Sequence, residues 1–180
     1  MGSLSIWHLA ILIAALGLVI AVIVTSVRRV PKPGIDPSGF GGWLLLLAIG
    51  QTLAPLRTLN ILAQSADGYR ALQDSSIPNA TLAIYAEVGL FIGFAAFQVF
   101  IIISMYRKRH FFPRLFFYQW ISGICVPIAD WMLTSVLLHI PLNSLVTARD
   151  VAGVLGAGLL GGIWVWYVVR SVRVRNTFTT

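Results

Sequence analysis

The chain has 180 residues, 58% of them hydrophobic and only 11% charged, with a mean hydropathy of +0.86. A water-soluble domain carries about 25% charged residues, so a solvated surface is excluded and lipid must cover much of the molecule. The net charge of +7 comes from 13 Lys+Arg against 6 Asp+Glu. Most of the basic residues stand in short clusters directly after long apolar runs, the pattern that sets membrane topology. A nucleic-acid surface would instead share a solvated basic face with aromatic residues. The lone cysteine, Cys125, excludes an intramolecular disulfide, CxxC redox chemistry and a cysteine zinc site.

About 20 apolar residues span a bilayer as a helix. The first such run, Trp7 to Val27, stops at Arg28-Arg29-Val30-Pro31-Lys32. It lacks the basic start and small-residue cleavage site of a removable signal, so a retained helix is expected. Three prolines and four glycines make 28–42 a loop. A second run extends from Trp43 to about Leu62. The polar stretch from Ala63 to Thr81 reads as too hydrophilic to cross, with room for a short surface helix near Tyr69 to Gln73. The third run, Leu82 to Tyr106, ends at Arg107-Lys108-Arg109. The fourth covers about Leu115 to Leu138, and the fifth about Val151 to Val169, ending at Arg170. The expected fold is all-α and polytopic. Its parts are an N-terminal transmembrane helix within 1–30, a cytoplasmic linker over 31–42 and a four-helix bundle with a basic tail over 43–180.

Charge counting orients this bundle. With the N-terminus outside, Arg28, Arg29, Lys32, Arg107, Lys108, Arg109, Arg114, Arg170, Arg173 and Arg175 all face the cytoplasm. The positive-inside rule then predicts N-out and C-in. Arg170, Arg173 and Arg175 would lie at the headgroups, where each can attract anionic lipid by about 1 kcal/mol. Phe178 beyond them either tucks against the bundle or belongs to a frayed end, the reading preferred here.

The helix start Gly41-Gly42-Trp43-Leu44, with Gly50 and Pro55 inside the helix, resembles that of a bacterial membrane family of unknown function. The Trp/Tyr-rich last helix and the tail Ser171-Val172-Arg173-Val174-Arg175-Asn176-Thr177-Phe178 are similar to that family's ending, S-x-R-V-x-x-T-F. The resemblance covers about residues 40–178 and leaves the first helix as an addition. It implies a bacterial inner-membrane protein built on four helices, and it supplies no activity.

Ionisable residues within a span are costly and mark candidate sites. Three qualify: Arg57, Glu87 and Asp130. Counted from the predicted helix ends, all lie about 8–12 Å below the outer boundary at 1.5 Å per residue, so a paired cluster is expected. Pro55 leaves the Gln51 carbonyl without its helical donor, and Pro127 does the same for Gly123. Gln119, Pro127, Asp130 and Thr134 fall near one stripe of the fourth run. Two proline breaks beside charges suit a solute or proton path; the competing reading is a structural Arg–carboxylate lock. Small residues in the fifth run (Gly153, Ala157, Gly158, Gly161, Gly162) predict close helix packing, inside the monomer or at a dimer seam, with this helix the most closely packed. His8 and His139 near the outer boundary offer a poor pair for haem. No metal, cofactor or hydrolase motif is present in the sequence.

These features predict a multi-pass protein of the bacterial inner membrane without catalytic activity, cofactor or metal. Its expected role is an accessory, scaffold or binding subunit, in contact with the lipid bilayer and with a membrane protein partner or a second copy. The alternative is a small proton- or solute-coupled transporter. The lock requires the charges to be dry and in contact; transport requires them to face a water-filled cavity.

Overall fold

The computed structural model describes residues 38–179. Among the described residues there are seven helices and no strand: α1 Trp43–Gln64, α2 Ala66–Gln73, α3 Ala80–Tyr106, α4 Phe112–Leu138, α5 Leu142–Leu145, α6 Ala148–Arg170 and α7 Val172–Thr177. Four runs are long and apolar enough to cross a membrane: Trp43–Gln73 (α1 with α2), α3, α4 and α6. The expected first helix, with His8, Arg28, Arg29 and Lys32, lies outside the described residues.

The helix boundaries have local causes. Gly42, at φ 55° and ψ −135°, precedes α1 in a conformation that glycine adopts and other residues avoid. The second run was expected to end near Leu62, but it does not stop there. Ser65 keeps helical angles, its N–H bonds to the Ile61 and Leu62 carbonyls, and Tyr69 N–H returns to the Ser65 carbonyl at 2.9 Å. The chain therefore continues as α2 after one irregular residue, and Trp43–Gln73 is a single run of 31 residues. Polarity in 63–73 signalled the loss of an apolar face, not the loss of a helix. Pro113 occupies the first turn of α4, where its missing N–H costs nothing. His139 ends α4 in the left-handed region at φ 54°, and Pro141 follows. A capping box starts α6: Asp150 N–H donates to Thr147 Oγ1 at 3.3 Å, and Asp150 Oδ2 accepts from Thr147 N–H at 2.9 Å. That arrangement satisfies two of the otherwise orphan groups at the helix start.

The helices pack in the order α1 on α3, α3 on α4 and α4 on α6. The core lies toward the end that carries Arg107–Arg109 and the tail. Leu44 and Leu47 of α1 meet Ile101 and Met105 of α3, Phe112 and Phe116 of α4, Val168 of α6 and Val174 of α7 there. Elsewhere large apolar side chains face outward, as at Val136 (68% exposed) and Leu159 (74%), which suits a hydrocarbon solvent.

The tail is folded, contrary to the frayed end preferred from the sequence. Ser171 Oγ caps α7 by accepting from Val174 N–H at 3.4 Å. Phe178 is buried, stacks on Phe112 with ring centroids 4.4 Å apart, and meets Phe40 edge-on at 6.2 Å. Thr177 Oγ1 donates to the Arg173 carbonyl at 2.6 Å and accepts from Gly39 N–H at 2.8 Å. The segment entering α1 and the segment leaving α6 are thereby clasped together.

Candidate functional site

Two polar layers cross the bundle. In the inner one, Thr58 Oγ1 donates to Gln98 Oε1 at 3.0 Å, and both residues are buried. Gln119 joins them from α4, 7% exposed, with its Oε1 lacking any hydrogen bond. In the outer layer the Tyr69 hydroxyl approaches Glu87 and Ser65, and the Glu87 charge acts on Asp130. Neither the Tyr69 hydroxyl nor Asp130 Oδ1 makes a hydrogen bond of proper geometry among the described residues. Each outer residue stands eleven positions from an inner one on the same helical run: Tyr69 from Thr58, Glu87 from Gln98, Asp130 from Gln119. Eleven residues are about three turns, or about 16 Å, so each pair shares a face. The ring of Phe94 beneath Gly123, 3.9 Å from where a Cβ would stand, confirms the α3–α4 register between the layers.

This register corrects the expected cluster. Glu87 and Asp130 come together, but Arg57 does not join them. Arg57 adjoins Thr58 and so belongs to the inner layer, about three turns away; Tyr69 occupies the place assigned to it. The expected depth failed because it was counted from a helix end at Leu62. The observed run extends to Gln73, which puts Arg57 about 21 Å from Trp43 and about 24 Å from Gln73 along the helix axis. Among the described residues Arg57 makes no ion pair; the ion pair formed there joins Arg70 to Asp67 at 3.0 Å, both highly exposed.

Arg57 instead lines a cleft of about 470 Å³ between α1 and α6, floored by α3 and α4. Gln51, Thr58, Gln98 and Gln119 supply further polar atoms; Phe91, Phe94, Phe116 and Trp120 are among its apolar walls. Gln51 Oε1, like that of Gln119, has no hydrogen-bond partner among the described residues. Trp43 and Trp164 meet at 6.1 Å near one end. Pro127 also borders the cleft, whereas Pro55 is buried behind it and Thr134 lies beyond it. Both prolines remain inside continuous helices.

The small residues of α6 divide by role. Trp120 Nε1 donates to the Gly158 carbonyl at 2.8 Å, and a Cβ on Gly161 would stand 2.6 Å from Trp120 Cδ1. Gly162 lies beside the same indole. Gly153 and Ala157 border the cleft without such contact. Val168 is the one buried residue of this helix, so within the described chain its close approach to α4 is confined to the Gly158–Gly162 stretch. In the tail, Arg170 and Arg175 are exposed while Arg173 lies against Gly41.

A family described as Protein of unknown function (DUF2569) matches residues 37–179. The chain belongs to this family. No curated protein and no solved structure matches the chain. The two segments that carried the resemblance meet in the clasp, Gly39 to Gly42 against Arg173 to Phe178. The family domain therefore closes on itself at the basic end, and the cleft lies within it. The sequence reading missed Tyr69, Thr58 and Gln98. The eleven-residue spacing on three runs was the signal available for them.

Proposed function

We propose that this chain is a non-enzymatic, five-helix protein of the bacterial inner membrane, N-out and C-in, that binds a small solute in the interhelical cleft. In a larger assembly it would be the binding subunit; acting alone or as an oligomer it would be a small carrier. The observation that carries this reading is Arg57, an exposed cation near the middle of a spanning run that lines a cleft and has no carboxylate partner among the described residues. A dry lock would have paired it. An intramembrane cation turned toward a cavity is characteristic of a ligand or transport path. Orientation is supported by Arg107, Lys108, Arg109, Arg114, Arg170, Arg173 and Arg175 at one end of the bundle, against Arg70 and Arg149 at the other.

Thiol accessibility tests it. With Cys125 replaced by serine, Gly123→Cys in the cleft should react with a water-soluble thiosulfonate reagent in intact membranes, while lipid-facing Leu159→Cys should not. Reaction from one face indicates a binding subunit, and from both faces a carrier. Silence of Gly123→Cys from either face would refute a wet cleft.

A further inference from the structure

We infer that the cleft selects a small, compact organic anion, held by its charge at Arg57 and by a hydrogen bond at Gln119. This rests on the cleft being a binding site at all, and it adds the class of ligand.

Charge decides the sign. Among the described residues Arg57 is the one ionisable residue lining the cleft. The described carboxylates closest to the bundle interior, Glu87 and Asp130, are about three turns away in the outer layer. Near mid-span a guanidinium calls for an anion or water. A guanidinium also holds a carboxylate in two parallel bonds, a geometry a simple ammonium lacks.

The surroundings set the rest. Gln119 is nine-tenths buried on the wall level with Thr58, and its Oε1 has no partner. An unsatisfied buried acceptor favours a ligand with an N–H or O–H donor. The walls between are aromatic and aliphatic, which suits an apolar body. At about 470 Å³ the space matches a small-molecule site.

The test uses the full chain, purified in neutral detergent, with benzoate, its neutral isostere benzamide and the cation benzylamine as probes. Trp120 and Trp164 line the cleft, so their fluorescence reports occupancy alongside the thermal midpoint. Benzoate should bind saturably and raise the midpoint, with benzamide and benzylamine at least about tenfold weaker, the scale of a charge-assisted hydrogen bond. Arg57→Gln should erase the preference for benzoate, and Arg57→Lys should keep part of it. 4-Hydroxybenzoate, which adds an O–H donor, should bind more tightly than benzoate, and Gln119→Leu should remove that gain while leaving the charge preference intact. Equal binding of all three probes to the unmodified protein overturns the anion assignment without needing any variant. So does a stoichiometric phospholipid that leaves on Arg57→Gln, or the absence of any saturable benzoate effect. Gly123→Leu, which fills the cleft, separates the two levels. If it abolishes binding of unselective probes, the cleft stands and only anion selectivity falls. If it changes nothing, the cleft reading falls as well.

Discussion

Gly42→Ala is the sharpest test of how the clasped end is built. Gly41 and Gly42 look equivalent in the sequence, but the structure separates them. Gly42 stands at φ 55° and ψ −135°, a region where a residue with a Cβ carries about 1–3 kcal/mol of strain. No neighbour lies within 4 Å of a Cβ there, so the whole cost is conformational and repacking cannot relieve it. At Gly41 the φ is ordinary and a Cβ would meet Arg173 Nη1 at 2.5 Å. That atom is the tip of a flexible side chain and can swing aside, so Gly41→Ala should cost less than about 0.5 kcal/mol, as surface changes commonly do. Gly50, inside α1 with open space around it, supplies a control of opposite sign, because alanine is favoured over glycine in a helix interior by about 0.5–1 kcal/mol. Thermal unfolding in one detergent, followed by helical circular dichroism, would rank the three. Gly42→Ala should lower the midpoint by several degrees, Gly41→Ala should lower it by little, and Gly50→Ala should raise it. Equal midpoints for Gly42→Ala and Gly41→Ala would refute the backbone account.

Phe178→Ala should destabilise by about 3–5 kcal/mol, the usual cost of removing a buried aromatic ring, measured by the same unfolding assay; a change within error would mean the tail is not docked. Gly161→Ala should displace the Trp120 indole and blue- or red-shift its emission, whereas Leu159→Ala, exposed and away from the cleft, should leave both emission and midpoint unchanged. Asp130→Asn should raise the thermal midpoint near neutral pH or leave it unaltered, because it removes a charge from beside Glu87 where no cation stands among the described residues; a fall of more than about 1 kcal/mol, the worth of an ordinary hydrogen bond, would mean Asp130 has a partner there.

Apolar run length made the four described spans legible, because crossing length is a one-dimensional property. The starts set by apolar runs, Leu115 and Val151, fall about three residues inside the observed Phe112 and Ala148, because hydropathy leaves out Pro113 and the Thr147–Asp150 cap. The end of the second run was not readable, since hydropathy reports which solvent a helix faces and not whether its backbone continues. That single error propagated: a helix ended eleven residues early placed Arg57 opposite Glu87 and hid Tyr69. The glycines of α6 were recognised as packing residues, but sequence could not show that Trp120 would cover three of them. The tail illustrates the same limit. Its basic residues read as topology signals, while Phe178 and Thr177 acquire partners only when the distant Gly39 to Gly42 segment is brought beside them.

The eleven-residue repeat explains why Arg57 matters. Thr58, Gln98 and Gln119 form a layer of neutral polar groups, and three turns away Tyr69, Glu87 and Asp130 form a layer with two acids. A structural lock would have its cation in the acidic layer. Here the cation adjoins the neutral layer, lining the cleft, and among the described residues Glu87 and Asp130 receive no cation of their own. Separating unlike charges by about 16 Å of helix forgoes most of their mutual attraction, which falls with distance even in a low-dielectric interior. Such an arrangement is hard to account for by stability alone. It leaves a positive site in the cleft able to receive an anion, and that is the feature on which the proposed binding role depends.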